Sequence, residues 1–158
     1  MVREVRRARG ASQQASGDAS ATARSEAIAQ ALIAAWNAHD VEEVGRLCAP
    51  EYQGVDVGAA EDARGPEGAG KALRRYLDAF PDLQVTLHQV VAQGDQVVLV
   101  WTARGTHRGG LMNIPATGRA VAVRGTSVLE VRRGKIARAL NLWDVAGLLR
   151  ALGLLPRL

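Results

Sequence analysis

The chain of 158 residues and 16.8 kDa has room for one domain with a core and an internal pocket. Its formal charge of +4 is concentrated at the start, where Arg3, Arg6, Arg7 and Arg9 outnumber Glu4, so the body is near neutral and no nucleic-acid-binding face is expected. The single cysteine, Cys48, excludes an internal disulfide and a thiolate metal cluster and suits a cytoplasmic protein, and no stretch has the apolar core of a secretory signal or the length of a membrane span.

Residues 1–24 are dominated by Arg, Ala, Ser, Gln and Gly, a composition that buries too little to offset chain entropy. They are expected to form a disordered or loosely docked arm ahead of one domain over residues 25–158. From Ser25 to Ala38 the apolar residues Ile28, Leu32, Ala35 and Trp36 recur at helical spacing. Asn37-Ala38-His39-Asp40 breaks that helix, and Asp40 with Glu43 opens a second one through Leu47 in a capping-box pattern. Cys48 then falls at the end of this helix as a small buried apolar residue rather than a nucleophile.

After Pro50 a short extended piece, Tyr52 to Val57, precedes a loop, and Gly65-Pro66-Glu67 starts a third helix that Phe80-Pro81-Asp82 stops. Leu83–Gln93 and Gln96–Thr106 are rich in Val, Leu and Thr around Gly94-Asp95, which predicts a tight hairpin. Arg119–Val131 and Lys135–Trp143 form a second pair around Arg133-Gly134. Helices first, an antiparallel meander next and a closing helix make the fold class α+β, with helices on the concave face of a twisted sheet and a cavity between them.

The segment RGKIARALNLWDVAGLLRALGLLP, Arg133 to Pro156, carries the leading candidate for chemistry. Asp144 stands at its strand-to-helix junction between Leu142-Trp143 and Val145, and a carboxylate held among apolar groups is raised toward the pKa of a general base. An aspartate opening a helix is also a standard N-cap, and local pattern leaves both readings open. His107, in GTHRGG, is either a carbonyl-polarising acid or a structural hydrogen-bonding group. Trp36, Tyr52 and Trp101 are candidate walls for flat rings, and Arg124 and Glu130 share one strand face that points either into the cone or toward solvent or a partner.

The motifs AWNAHDVEEV, GPEG, FPDL, GDQVVLVWTARGTHRG, IPATGR, GKI and DVAGLLRALGLLP, in this order across residues 25–156, make the chain resemble the SnoaL-like polyketide cyclases of the NTF2-like superfamily. The resemblance implies a cone-shaped α+β barrel with N-terminal helices packed on a strongly curved antiparallel sheet. It implies intramolecular aldol closure of an aromatic polyketide, with Asp144 as general acid and base and no metal or organic cofactor. The sequence departs from the family pattern in having no histidine between Ala120 and Gly134, which keeps open cofactor-independent hydroxylation, hydrolysis, or non-catalytic binding of an apolar ligand. Exposed β-branched strands predict a homodimer packed sheet to sheet. The expected partner is a small-molecule polyketide, with no nucleic acid and no membrane.

Overall fold

The computed structural model describes the backbone of residues 2–156 and the side chains of residues 13–156. Helix α1 spans Val2–Asn37, α2 Val41–Leu47, α3 Gly65–Ala79 and α4 Val145–Ala151. The strands are β1 Cys48–Asp56, β2 Ala63–Arg64, β3 Gln84–Gln93, β4 Gln96–Thr106, β5 Ala120–Arg132 and β6 Lys135–Trp143. They form one sheet in the order β2-β1-β6-β5-β4-β3.

The expected meander of β3 to β6 is present with both hairpins, and Arg133 and Gly134 turn the second one with φ of 50° and 74°. Two features correct the sequence reading. The sheet is mixed, because β1 runs parallel to β6 and pairs with it from Gln53 to Asp56, while β2 adds an edge to β1. Cys48 begins β1 instead of ending a helix. Between β1 and β6 the chain passes through β2, α3 and β3 to β5, and the last strand then lies beside β1, a long-range pairing that no local pattern announces.

The arm expected to be disordered or loosely docked continues α1 as helix. Thr22 Oγ1 accepts the Gly94 N–H of the β3–β4 turn at 2.8 Å, while side chains 13–20 are exposed. Alanine is the strongest helix former, and a helix already nucleated by packing needs only one hydrogen bond per added residue to propagate. Arg3, Arg6, Arg7 and Arg9 lie outside the described side chains.

The core sits between the concave face of the sheet and helices α1 and α3. Ala29, Leu73, Val97, Leu99 and Ile136 are completely buried there, and a second cluster around Phe80, Leu83, Leu111, Val121 and Leu148 fills the end nearest α4. Asn37 ties the end of α1 to β3 by accepting Val85 N–H at 2.7 Å and donating to Val85 C=O at 2.9 Å. His39, at φ 58°, makes the corner between α1 and α2, and its Nε2 lies 2.7 Å from the Leu83 carbonyl.

Candidate functional site

A cavity of about 420 Å³ opens between the helices and the sheet. Its wall is mainly apolar and aromatic, with Trp36, Tyr52, Tyr76, Phe80, Trp101 and Trp143 contributing rings. Strand alternation explains the inward set: Tyr52, Gly54 and Asp56 share one face of β1, Leu99, Trp101 and Ala103 one face of β4, and Ala139, Asn141 and Trp143 one face of β6. On α3, Ala69, Ala72 and Tyr76 present a helical stripe to the same space.

Two polar stations interrupt this wall. At the first, Asp56 accepts from Tyr76 O–H at 2.6 Å, from Trp143 Nε1–H at 2.8 Å and from Gly58 N–H at 2.8 Å. The Arg75 guanidinium stands 3.5 Å from Asp56 Oδ2 and lies over the Tyr76 ring, 4.9 Å from its centroid. Trp36, Tyr76 and Trp143 form a continuous aromatic run, with centroids 6.0 and 6.5 Å apart and the second pair edge-on. Burial, reinforced by the neighbouring Asp56 charge, pushes the Tyr76 phenol above its ordinary range, so its hydroxyl keeps its proton. Burial raises the Tyr52 phenol in the same way.

At the second station Trp101 Nε1 donates to Ser127 Oγ at 3.0 Å, and Ser127 donates to Asn141 Oδ1 at 2.6 Å. The six-membered ring of the indole lies against Gly125, where a Cβ would come within 2.3 Å of it. Gly58 gives the Trp143 indole the same clearance.

The sequence candidates fall into two groups. Trp36, Tyr52 and Trp101 line the cavity as expected. Asp144 does not: its side chain is 52 % exposed, its Oδ1 accepts Gly147 N–H at 2.7 Å to cap α4, and Arg150 is 3.9 Å away. The apolar neighbours that flank it in sequence turn elsewhere. Leu142 is exposed on the outer face, Trp143 points inward, and Leu148 is buried below, so the carboxylate is left at the surface.

His107 is wholly buried but does not line the cavity. Its Nδ1 accepts Thr117 N–H at 3.3 Å and contacts Thr117 Oγ1, and its ring packs against Phe80 at 5.3 Å, which pins the 107–119 loop. Arg124 and Glu130 lie on the convex face: Arg124 is exposed, and Glu130 pairs with Arg132 and Arg138. Their burial in the cone would have left charges without partners.

Asp56, Tyr76 and Trp143 were missed as site residues. The signal existed, because Asp56 stands at period two from Tyr52 and Tyr76 at helical spacing from Leu73 and Phe80. No helix among the described residues is long and apolar enough to cross a membrane, and no group of three or more His, Cys, Asp or Glu among them is placed to hold a metal ion.

The profile of the SnoaL-like polyketide cyclases matches residues 26–152. The chain belongs to the SnoaL-like polyketide cyclase family. Among solved structures it is similar to TsrD from Streptomyces laurentii, with 32 % identity over 84 % of this chain and 97 % of that one at a TM-score of 0.75. IdmH from Streptomyces antibioticus, a candidate polyketide cyclase, is 30 % identical over 82 % and 98 % at 0.71. AclR from Streptomyces galilaeus, a candidate hydroxylase, is 27 % identical over 87 % and 89 % at 0.76. Among curated proteins none matches. This SnoaL-like chain therefore shares its NTF2-like cone with proteins described as candidates for two different reactions.

Proposed function

We propose that this SnoaL-like protein is a polyketide-tailoring enzyme that closes a ring in an aromatic polyketide by a cofactor-independent intramolecular aldol reaction, with Asp56 as its acid and base in place of Asp144. The observation that carries the reading is that Asp56 is the carboxylate lining the aromatic cavity that is not exposed, whereas Glu61 and Asp62 at the rim and Asp144 outside it are.

The chemistry needs one mobile proton and no redox partner. A methylene between two carbonyls gives its proton to Asp56. The Tyr76 hydroxyl, turned from Asp56 to the substrate carbonyl, frees a lone pair on the carboxylate and supplies a donor where enolate charge grows. The enolate carbon then bonds to a second carbonyl carbon of the same molecule, whose π electrons move to its oxygen. Protonated Asp56 returns the proton to that alkoxide. Trp36, Trp101 and Trp143 would hold the chain folded for attack, a contribution as large as the proton transfer itself.

Hydroxylation is the second reading, favoured by the likeness to AclR. Incubation with a linear or partly cyclised aromatic polyketide, followed by mass spectrometry, separates the two. Ring closure keeps the elemental composition or loses water, and hydroxylation adds an oxygen atom and consumes oxygen. Failure of both on a panel of such substrates would leave a non-catalytic binding cone.

The homodimer belongs to the same proposal. Val55, Leu140, Val128, Val98 and Val91 pair in register across five strands, opposite the cavity-facing residues. This gives a continuous aliphatic row on the convex face, with Val91 55 %, Leu140 38 % and Val55 37 % exposed. A second copy related by a two-fold axis would cover it.

A further inference from the structure

We propose that Arg75 is the substrate-anchoring residue of the cavity and that it selects ligands bearing an acidic oxygen, either a carboxylate or the enolate or phenolate of a polyketide ring. The inference rests on the reading of the cavity as a polyketide site and names a chemical feature of its substrate.

Arg75 is under-committed where it stands. A guanidinium carries five N–H donors in a planar fork suited to a pair of oxygens. Here its contacts are one loose ion pair, 3.5 Å from an Asp56 oxygen that Tyr76 already donates to, and the Tyr76 ring face. Its Nε–H is buried with no acceptor. A buried donor left without an acceptor costs free energy that an incoming acceptor recovers.

The surroundings single Arg75 out. Arg64, Lys71 and Arg104 also reach the cavity, but all three are exposed, and Lys71 is held by Glu67 at 2.7 Å on the solvent side. Arg75 alone among these cations is half-buried, adjacent to both the Tyr76 hydroxyl and Asp56. An acidic oxygen arriving beside Tyr76 would draw the guanidinium off Asp56 and give its buried Nε–H an acceptor. It would also remove a cation from the carboxylate proposed as base, so anchoring and activation are coupled.

The test is binding, read by quenching of tryptophan fluorescence with three flat tricyclic probes: anthraquinone-2-carboxylate, its neutral carboxamide, and 1,8-dihydroxyanthraquinone. The full-length protein is expected to bind the carboxylate roughly tenfold more tightly than the carboxamide at neutral pH, or the dihydroxyquinone increasingly well as its phenol ionises. Arg75→Gln should abolish that preference, and Arg75→Lys should restore part of it. The first preference identifies a carboxylate and the second an enolate or phenolate. Equal binding of the acidic and neutral probes by the native protein, or a preference that survives Arg75→Gln, overturns the proposal while the cavity reading stands. If none of the probes binds, the cavity reading fails and takes this inference with it.

Discussion

Asp56→Asn keeps the shape of the side chain and removes its charge, so it separates the proposed base from its structural duties. Gly58 N–H and Trp143 Nε1–H are obligate donors to Oδ1. The amide oxygen must therefore stay there, with the NH₂ turned toward Tyr76 and Arg75. Tyr76 can reverse its hydroxyl and accept, but the guanidinium 3.5 Å away meets a donor in place of an anion. Charge-assisted bonds exceed neutral ones by about 1 kcal/mol each, so stability should fall by roughly 2–3 kcal/mol with the fold retained. Loss of general acid and base catalysis should lower kcat by about 10²–10⁴-fold. Asp144→Asn exchanges one good helix cap for another and should cost only about 0.3 kcal/mol and little turnover. The assay is single-turnover ring closure followed by chromatography, with thermal melts of both variants. Near-normal turnover in Asp56→Asn together with loss of turnover in Asp144→Asn would refute the reasoning and return the role to the surface aspartate.

Further outcomes follow from particular contacts. Gly125→Ala sets a methyl against the Trp101 indole, displacing it from Ser127 into the cavity, so stability should drop by about 1–3 kcal/mol and quinone affinity should weaken; an unchanged affinity would mean Trp101 is not part of the binding wall. Burial pushes the Cys48 thiol from an ordinary value of 9.0 up to about 12. The unfolded chain thus releases this proton first, and stability present below pH 9.0 is lost as pH rises toward about 12. Replacing Cys48 with Ala should flatten the alkaline limb of a pH–stability profile, and rapid alkylation of the native thiol at neutral pH would contradict its burial. Val128→Lys, in the middle of the convex row, should convert the proposed dimer to monomer in sedimentation without lowering helix or strand content; a native protein already monomeric at all concentrations would dispose of the dimer.

Much of the architecture was legible in the residues because it depends on periodicity and turns. The amphipathic stripe of Ile28, Leu32 and Trp36, the proline-led start of α3 and the Gly94-Asp95 and Arg133-Gly134 reversals are local signals, and the elements they predict are present. The aromatic walls Trp36, Tyr52 and Trp101 were legible for the same reason, since alternation or helical phase puts them on the inward face. The surroundings expected for Asp144 differ from those observed because adjacency in sequence was taken for adjacency in space. On a strand, successive side chains point to opposite sides, and the turn into α4 then aims the carboxylate at Gly147 N–H.

The chain's own periodicities decide which residues are helix, which are strand and which of their faces are apolar, because those choices are made over a few residues by sterics and hydrogen bonding. Tertiary structure alone decides that β1 lies parallel to β6. That pairing brings Asp56 on β1 to Trp143 on β6 and, through α3, to Tyr76 and Arg75. Local spacing turns each of these side chains inward, but their meeting across three distant segments exists only after the sheet has closed.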